Sequence, residues 1–143
     1  DRDCIRKVPY RNQAEVGFIQ PGEREILWNE FKFVITTFPY HPSYVPPEDP
    51  HILTMDAGRL KWPIKLRMRQ VGDTMKPLGM KGNKKVSDIL TDIKMPADQK
   101  QRAYVIESAG AIIYVQDFRI SAQVRVSLNT RQIIQIQIFP VKS

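Results

Sequence analysis

The feature that most constrains the fold is a six-residue stretch, 64–69, in which apolar and cationic side chains alternate strictly. Side chains along a β-strand point alternately to opposite faces, so the three apolar residues would share one face. The other face would then carry three cations, Lys65, Arg67 and Arg69. An ordinary amphipathic strand explains the alternation but not the single sign of the charge. The stretch therefore predicts a strand with a buried face and an outward row of positive charge.

Other strands are predicted where β-branched, aromatic or alternating residues cluster, at 4–8, 25–28, 31–38, 51–56, 111–115, 124–128 and 134–138. The strand at 111–115 is apolar on both faces, which is typical of a central strand. Apolar residues at helical spacing predict a helix from Lys84 to about Lys94 with Asn83 as its N-cap. Pro96 opens a second helix through Arg102. This order predicts an α+β fold, a mainly antiparallel β-sheet with two short helices.

The chain of 143 residues begins without Met, so we expect a fragment of a longer protein. Five prolines within 39–50 predict an extended loop, because proline fixes φ and removes a hydrogen-bond donor. We interpret residues 1–58 as the end of a preceding region that contributes strands to the same sheet. Residues 59–143 form the C-terminal domain in this interpretation.

Positive charge is concentrated in one part of the chain. Residues 59–102 hold 12 Lys or Arg against 4 Asp or Glu. The net charge of this segment, +8, exceeds the +7 of the whole chain. Such a field attracts polyanions, above all nucleic acid or an anionic membrane surface. A solvated lysine-rich surface explains the composition equally well. No apolar run approaches the roughly 20 residues that a membrane-spanning helix needs.

The glycine-rich loop 71–83 leads into the predicted helix, whose free backbone N–H groups favour an anion. Lys84 and Lys85 would lie in the first helical turn, where the helix dipole disfavours cations. Two lysines are tolerable there if the site binds an external anion. These features favour phosphate contacts without sequence readout. The candidate nucleic-acid-binding residues are Lys65, Arg67, Arg69, Lys76, Lys81, Lys84, Lys85, Lys94, Arg102 and Arg119.

Catalytic and metal-binding candidates are few, and we predict neither kind of site. His41 and His51 flank the proline-rich loop without a surrounding Asp/Glu pattern, so a structural role is expected. Cys4 is the single cysteine, which excludes an internal disulfide and is typical of a reducing compartment. Walker A, Gly-x-Gly-x-x-Gly and Gly-x-Ser-x-Gly motifs are absent from the sequence.

Three motifs resemble the C-terminal domain of tRNA(Ile)-lysidine synthetases over about residues 64–128. They are R-x-R-x-x-G-D from Arg67 to Asp73, P-L-G-M-x-G from Pro77 to Gly82, and K-K-x-S-D from Lys84 to Asp88. The resemblance implies a fold similar to a β-rich domain of the phenylalanyl-tRNA synthetase β subunit. It also implies that residues 59–143 are a tRNA-binding domain that recognises the acceptor-stem side of a minor isoleucine tRNA.

The family's enzymes use ATP to join lysine to the wobble cytidine of that tRNA. The resemblance places this ligase chemistry, with its ATP and Mg²⁺, in an N-terminal catalytic domain with an S-G-G-x-D-S-type loop that this sequence lacks. It implies a cytoplasmic protein and leaves a homodimer open. The alternative is a protein-interaction module that docks on the catalytic domain or a second subunit, with strands such as 134–138 pairing edge to edge. A third possible function, hydrolytic editing as in synthetase domains of similar fold, rests on fold analogy alone.

Overall fold

A computed structural model describes residues 16–141. The strand expected at 4–8, which contains Cys4, lies outside the described residues. The strands are β1 (Gly17–Ile19), β2 (Glu25–Trp28), β3 (Phe31–Pro39), β4 (Ile52–Asp56), β5 (Ile64–Met68), β6 (Thr74–Met75), β7 (Lys84–Lys85), β8 (Tyr104–Ser108), β9 (Ala111–Val115) and β10 (Gln132–Pro140). The helices are α1 (Val86–Asp92) and α2 (Ala97–Lys100), with 3-10 turns at Ala57–Arg59 and Ala122–Val124. The predicted α+β fold is confirmed.

The strands form two four-stranded sheets and a small ribbon, and all pairs are antiparallel. The β5 sheet has the order β1-β5-β8-β9, and the β10 sheet has the order β2-β3-β10-β4. The ribbon pairs β6 with β7. Because β2, β3 and β4 pair around β10, the segment before residue 58 shares a sheet with the segment after it. The division into domains at 58–59 stays a prediction.

A shared core joins the two sheets. Phe33 and Met55 from the β10 sheet and Leu66 and Tyr104 from the β5 sheet are buried in one cluster. Each such side chain contributes roughly 1.5–3 kcal/mol by leaving water. The Tyr104 ring lies 6.0 Å from the Phe33 ring in an edge-to-face arrangement. Burial raises the pKa of Tyr104 well above its ordinary value, so its hydroxyl stays neutral in the core.

A second apolar cluster covers the other face of the β5 sheet. Val86, Ile89 and Leu90 of α1 are buried against Val105 and Val115 of that sheet. Strands β8 and β9 are therefore covered on both faces, and the protein has three layers: the β10 sheet, the β5 sheet, and the ribbon with its helix. The part of the positively charged segment that follows β5 folds into this third layer.

The expectation that 111–115 is a central strand is wrong, because β9 is an edge strand of the β5 sheet. Its apolar faces arise from the two packed layers. The chain that follows covers its outer edge, with a bridge between Tyr114 and Ile120 and the Ser121 N–H donating to the Ile113 carbonyl at 2.7 Å.

The expected strand at 124–128 is absent from the described structure. Ser121 and Ser127 each accept a backbone N–H two residues ahead, from Gln123 and Asn129. These local bonds turn the chain at both ends of the segment and compete with strand pairing.

Edge-to-edge pairing through 134–138 is also wrong, because β10 lies between β3 and β4 and has no free edge along that stretch. Its Gln135 side chain is half-buried rather than directed to solvent. The amide donates to the Tyr44 hydroxyl at 3.2 Å and lies 3.4 Å from the Thr54 hydroxyl. Tyr44 thereby anchors the proline-rich loop to the outer face of the β10 sheet. Within residues 16–141, no helix has the length and apolarity to cross a bilayer.

Candidate nucleic-acid interface

The ribbon presents Lys85 on its outer side. Cross-strand partners share a face, and the register pairs Thr74 with Lys85 and Met75 with Lys84. Met75 is buried in the α1 cluster, so its face points inward and the Thr74–Lys85 face points outward. Lys76 follows Met75 and is exposed. Neither Lys76 nor Lys85 has an ion-pair partner within residues 16–141, so both ammonium groups are available to an external anion.

The predicted helix start is wrong, and with it the argument from the helix dipole. Lys84 and Lys85 lie in β7, and α1 begins at Val86 with Asp88 in its first turn. Lys85 is the N-cap, in extended conformation, in place of Asn83. The Val86 N–H donates to the Asp73 carbonyl at 2.9 Å, so the helix start is tied to the preceding loop. The first N–H group of α1 is therefore bound within the protein and is not available to an external anion.

Arg67 is held inside the structure. Its guanidinium makes a bidentate ion pair with Asp73, with both N–O distances 3.0 Å, and also contacts the Glu107 carboxylate and the Met68 carbonyl. The Arg67 side chain is 11% exposed. The hydrogen bond to Asp73 is the main cause that raises the pKa of Arg67. Because its donors are occupied, Arg67 is removed from the row of outward cations that the alternation predicts.

The same network shapes the loop after β5. Asp73 Oδ2 also accepts the Gln70 N–H at 2.7 Å, and Gly72 adopts a positive φ of 94° between them. The Asp73 carbonyl in turn holds Val86 at the start of α1. The Arg67–Asp73 pair therefore connects the β5 sheet, the loop and the helix, which makes Arg67 a positioning residue for the ribbon.

A second group of cations lies around α2 and the end of α1. Arg69 Nε donates to the Lys100 carbonyl at 2.6 Å, and Lys100 Nζ donates to the Thr91 hydroxyl at 3.2 Å. Arg102 is exposed and lies 3.9 Å from the Asp98 carboxylate, a weak surface pair. Lys94 follows Ile93, the C-cap of α1, is exposed and has a positive φ of 61°. We call Arg69, Lys94, Lys100 and Arg102 the helix-end group.

The loop between β6 and β7 brings Arg119 next to the ribbon. Arg119 Nη1 donates to the Leu78 carbonyl at 3.3 Å, and its guanidinium lies 4.7 Å from the centre of the Phe118 ring. The Ala122 N–H donates to the Lys76 carbonyl at 3.0 Å, which ties the two segments together. Lys81 is exposed within the same loop. We call Lys76, Lys81, Lys85 and Arg119 the ribbon–loop group.

Besides Arg67, two predicted residues fall outside this arrangement. Lys84 points to the inner side of the ribbon and forms an ion pair with Asp92 at the end of α1. Lys65 is half-buried on β5, opposite Glu107 in the register. The structure thus collects most of the predicted cations into two groups that flank α1, whose seven residues span about 10 Å.

The sequence reasoning missed Lys100 and the aromatic support of Arg119. Lys100 lies in the last turn of the second helix, where the helix dipole favours a cation, so a search for cations at helix ends could have identified it. Phe118 precedes Arg119 directly, and an aromatic residue beside an arginine is a recognisable nucleic-acid signal.

Both histidines contact side chains of this protein. His51 Nε2 lies 2.8 Å from the Asp117 carboxylate and joins the proline-rich loop to the turn after β9. His41 Nδ1 lies 2.7 Å from the Ser43 hydroxyl. Within the described residues, no group of three His, Cys, Asp or Glu side chains is placed to hold a metal ion.

Comparison with known proteins gives a family match. The model of the TilS substrate C-terminal domain family matches residues 64–138, slightly more than half of the chain. The chain is 32% identical to a tRNA(Ile)-lysidine synthase of Parabacteroides distasonis over 94% of its length and 31% of the relative. It is 30% identical to that of Bacteroides thetaiotaomicron over 90% of its length and 30% of the relative. It is 36% identical to that of Clostridium acetobutylicum over 58% of its length and 18% of the relative.

Two solved structures share the fold. One, described as the crystal structure of a TilS C-terminal domain, superposes with a TM-score of 0.72 at 21% identity, covering 90% of this chain and all of that chain. The other, an N-terminal fragment of the phenylalanyl-tRNA synthetase β subunit from Pyrococcus horikoshii, has a TM-score of 0.53 at 20% identity. It covers 64% of this chain and 28% of that chain. The likeness to the synthetase agrees with the fold that the motifs imply.

Proposed function

The chain belongs to the TilS substrate C-terminal domain family, and we propose that it is the tRNA-docking part of a tRNA(Ile)-lysidine synthase. It holds the RNA through contacts to phosphate groups and so helps to present the anticodon to an active site in another part of the protein. The chain spans 31% or less of the three relatives described above, so the activity of the whole protein is part of the proposal.

The observation that carries this proposal is the ribbon–loop group. Its cations project from a ribbon and loop fixed by the Arg67–Asp73 network, and they have no carboxylate partner within the described residues. A fixed array of cations binds a polyanion by releasing condensed counterions, which gives affinity with little sequence readout. The helix-end group extends the positive surface along α1. Arg119, stacked on Phe118, adds a planar guanidinium suited to phosphate.

The ligase chemistry belongs to the remainder of the protein in this proposal. ATP and Mg²⁺ would act there, as the family resemblance implies. The sequence has no Walker A loop, and within residues 16–141 no group of three His, Cys, Asp or Glu side chains is placed to hold a metal ion. The proposed tRNA substrate is a minor isoleucine tRNA, contacted on its acceptor-stem side. The proposed location of the enzyme is the cytoplasm.

The test is a salt titration of tRNA(Ile) binding by the isolated chain, measured by fluorescence anisotropy. With about six phosphate contacts, affinity should fall roughly 1,000-fold between 50 and 200 mM salt. Reversing two charges, in the double variant Lys76→Glu and Lys85→Glu, should weaken binding at least about tenfold and reduce the salt slope by about 1.5.

The charge-matched control is Arg24→Glu with Arg125→Glu, which changes two exposed arginines outside both groups. This control should bind tRNA within about twofold of the parent chain at moderate salt, because screening limits distant charges. Binding that is insensitive to salt, or equal losses in both double variants, would contradict docking through the ribbon–loop group.

A second candidate function is a protein-interaction module that docks on the catalytic region of the same synthase. The observation that favours it is an apolar pair on the outer face of the β10 sheet, where Leu27 and Phe139 both align with Lys32 and are 69% and 45% exposed. Titration with the separately expressed catalytic region distinguishes the two functions. Protein binding that is lost in Leu27→Ser, with unchanged tRNA binding, would favour the module.

The possible homodimer is tested by analytical sedimentation of the chain alone, which measures the mass of the particle in solution.

A further inference from the structure

An open cleft lies at the end of the β10 sheet, between residues 56–59 and residues 129–132. Its volume is about 540 Å³, within the range of small-ligand sites. It is lined by Asp56, Ala57, Gly58, Arg59, Asn129, Arg131 and Gln132. None of these residues belongs to the ribbon–loop or the helix-end group. The cleft is therefore a separate feature of the molecule.

A buried hydrogen bond fixes the two walls of this cleft relative to each other. One wall is the 3-10 turn after β4, and the other is the turn before β10. The Thr130 hydroxyl donates to Asp56 Oδ2 at 2.9 Å, and Asp56 Oδ1 accepts the Gly58 N–H at 2.8 Å. Thr130 Oγ1 also accepts the Ser127 N–H at 2.9 Å. Both arginines of the cleft thus project from preorganised backbone, which lowers the cost of binding a ligand.

The charges of the cleft favour an anion. Arg59 Nε lies 3.6 Å from the Asp56 carboxylate. The other guanidinium nitrogens of Arg59 form no hydrogen bond or ion pair within the described residues. Arg131 is exposed, and its side chain forms no hydrogen bond or ion pair within residues 16–141. The Asp56 carboxylate is only 10% exposed and is already bound on both oxygens. Two guanidinium groups with the Asn129 and Gln132 amides then present mostly donors to a ligand.

We propose that this cleft binds a phosphate group between Arg59 and Arg131. Guanidinium groups match the geometry of phosphate oxygens and bind them in pairs of hydrogen bonds. The phosphate could belong to a free nucleotide or to an RNA chain. The site does not depend on the proposed tRNA docking, since it uses other residues on another part of the fold.

The test is a ¹H–¹⁵N NMR titration of the folded chain with inorganic phosphate, 5′-AMP and a short oligoribonucleotide, with adenosine as the uncharged comparison. Shift changes should saturate and concentrate on residues 56–59 and 129–132 for the ligands that carry phosphate, and adenosine should leave them unchanged. A tighter response to AMP than to the oligoribonucleotide identifies a nucleotide site, and the reverse order identifies an RNA-backbone site.

The double variant Arg59→Gln with Arg131→Gln should weaken this binding roughly tenfold or more, because two charge-assisted contacts are lost. Arg24→Gln with Arg125→Gln removes the same charge outside the cleft and should leave it unchanged. Arg131→Gln alone preserves the Arg59–Asp56 contact and covers the case in which the double variant unfolds. Non-saturating shifts spread over the lysines, or equal binding by both double variants, would overturn the proposal.

Discussion

The structure gives Arg67 a positioning role that its place in an alternating strand does not suggest. Its partners Asp73 and Glu107 are about as buried as Arg67 itself, at 11% and 13% exposed. Replacing Arg67 by Met would keep much of the volume but leave two nearly buried carboxylates without their cation. We expect a loss of about 3 kcal/mol in the free energy of unfolding, measured by urea denaturation.

The matched control is Lys65→Met, two residues earlier on the same strand and without an ion-pair partner within the described residues. It should change the free energy of unfolding by less than about 0.5 kcal/mol. The tRNA affinity of the folded Arg67→Met protein should fall as well, because Arg67 positions the ribbon and loop that carry the cations. Unchanged stability together with a salt slope lower by about 1 would instead show that Arg67 contacts phosphate, as the alternation alone predicts.

At this scale the sequence predicts where a side chain stands on a strand, but not which group it meets. Period-two alternation correctly places Ile64 and Leu66 in the core. It cannot identify Glu107, which lies 40 residues from Arg67 in sequence and reaches it through strand pairing. The two arginines of the proposed phosphate cleft were missed for the same reason, since only the tertiary fold brings Arg59 next to Arg131.

Among the elements, the glycine-rich loop between β6 and β7 sets the position of the ribbon–loop group. Gly79 and Gly82 have φ values of 82° and 72°, and Met80 N–H closes a turn on the Pro77 carbonyl at 3.2 Å. A Cβ at either glycine would meet open space, so the penalty of a substitution is backbone strain alone.

We therefore expect the double variant Gly79→Ala with Gly82→Ala to lose about 1–2 kcal/mol in stability per site or to distort the loop. Because it removes no charge, a fall in tRNA affinity would report the geometry of the cations rather than their number. Asn83→Ala, in the same loop and without a positive φ, is the control for both measurements. Unchanged affinity in the glycine variant would mean that the loop conformation does not matter for docking.

Helix boundaries and short strands were the elements that sequence predicted least well. The periodicity of Val86, Ile89 and Leu90 correctly indicates a helix, but the pairing of Lys84 and Lys85 with β6 delays its start by two residues. Strand β8 had no prediction, although Tyr104–Ser108 is almost entirely buried. A short run that is covered on both faces lacks the alternation on which strand prediction depends.

For the whole molecule, the continuity of the core predicts that residues 59–143 do not fold alone. Cutting at 58–59 removes β2, β3 and β4, so β10 loses both of its neighbours and the inner face of the β5 sheet is exposed. We expect the shortened chain to lack a cooperative thermal transition and to aggregate, because β10 would then have unpaired edges. Circular dichroism and light scattering provide the measurement, with the full chain as control.

A cooperative transition in that shortened chain would contradict this expectation and support 59–143 as an independent domain.

The overall class was predictable, because alternating strands around two short helices indicate an α+β fold. The split into two sheets was not, since single-sequence patterns do not specify which strands are neighbours. The family motifs supplied the expected fold where periodicity could not.

The place of β10 between β3 and β4 has a consequence for biosynthesis. Phe31–Pro39 and Ile52–Asp56 leave the ribosome long before Gln132–Pro140, so neither strand can pair with β10 in the meantime. At roughly 5–20 residues per second, the nascent chain waits on the order of 5–20 s with those edges of β3 and β4 unpaired. Newly made protein should therefore acquire protease resistance only after residue 140 has left the exit tunnel.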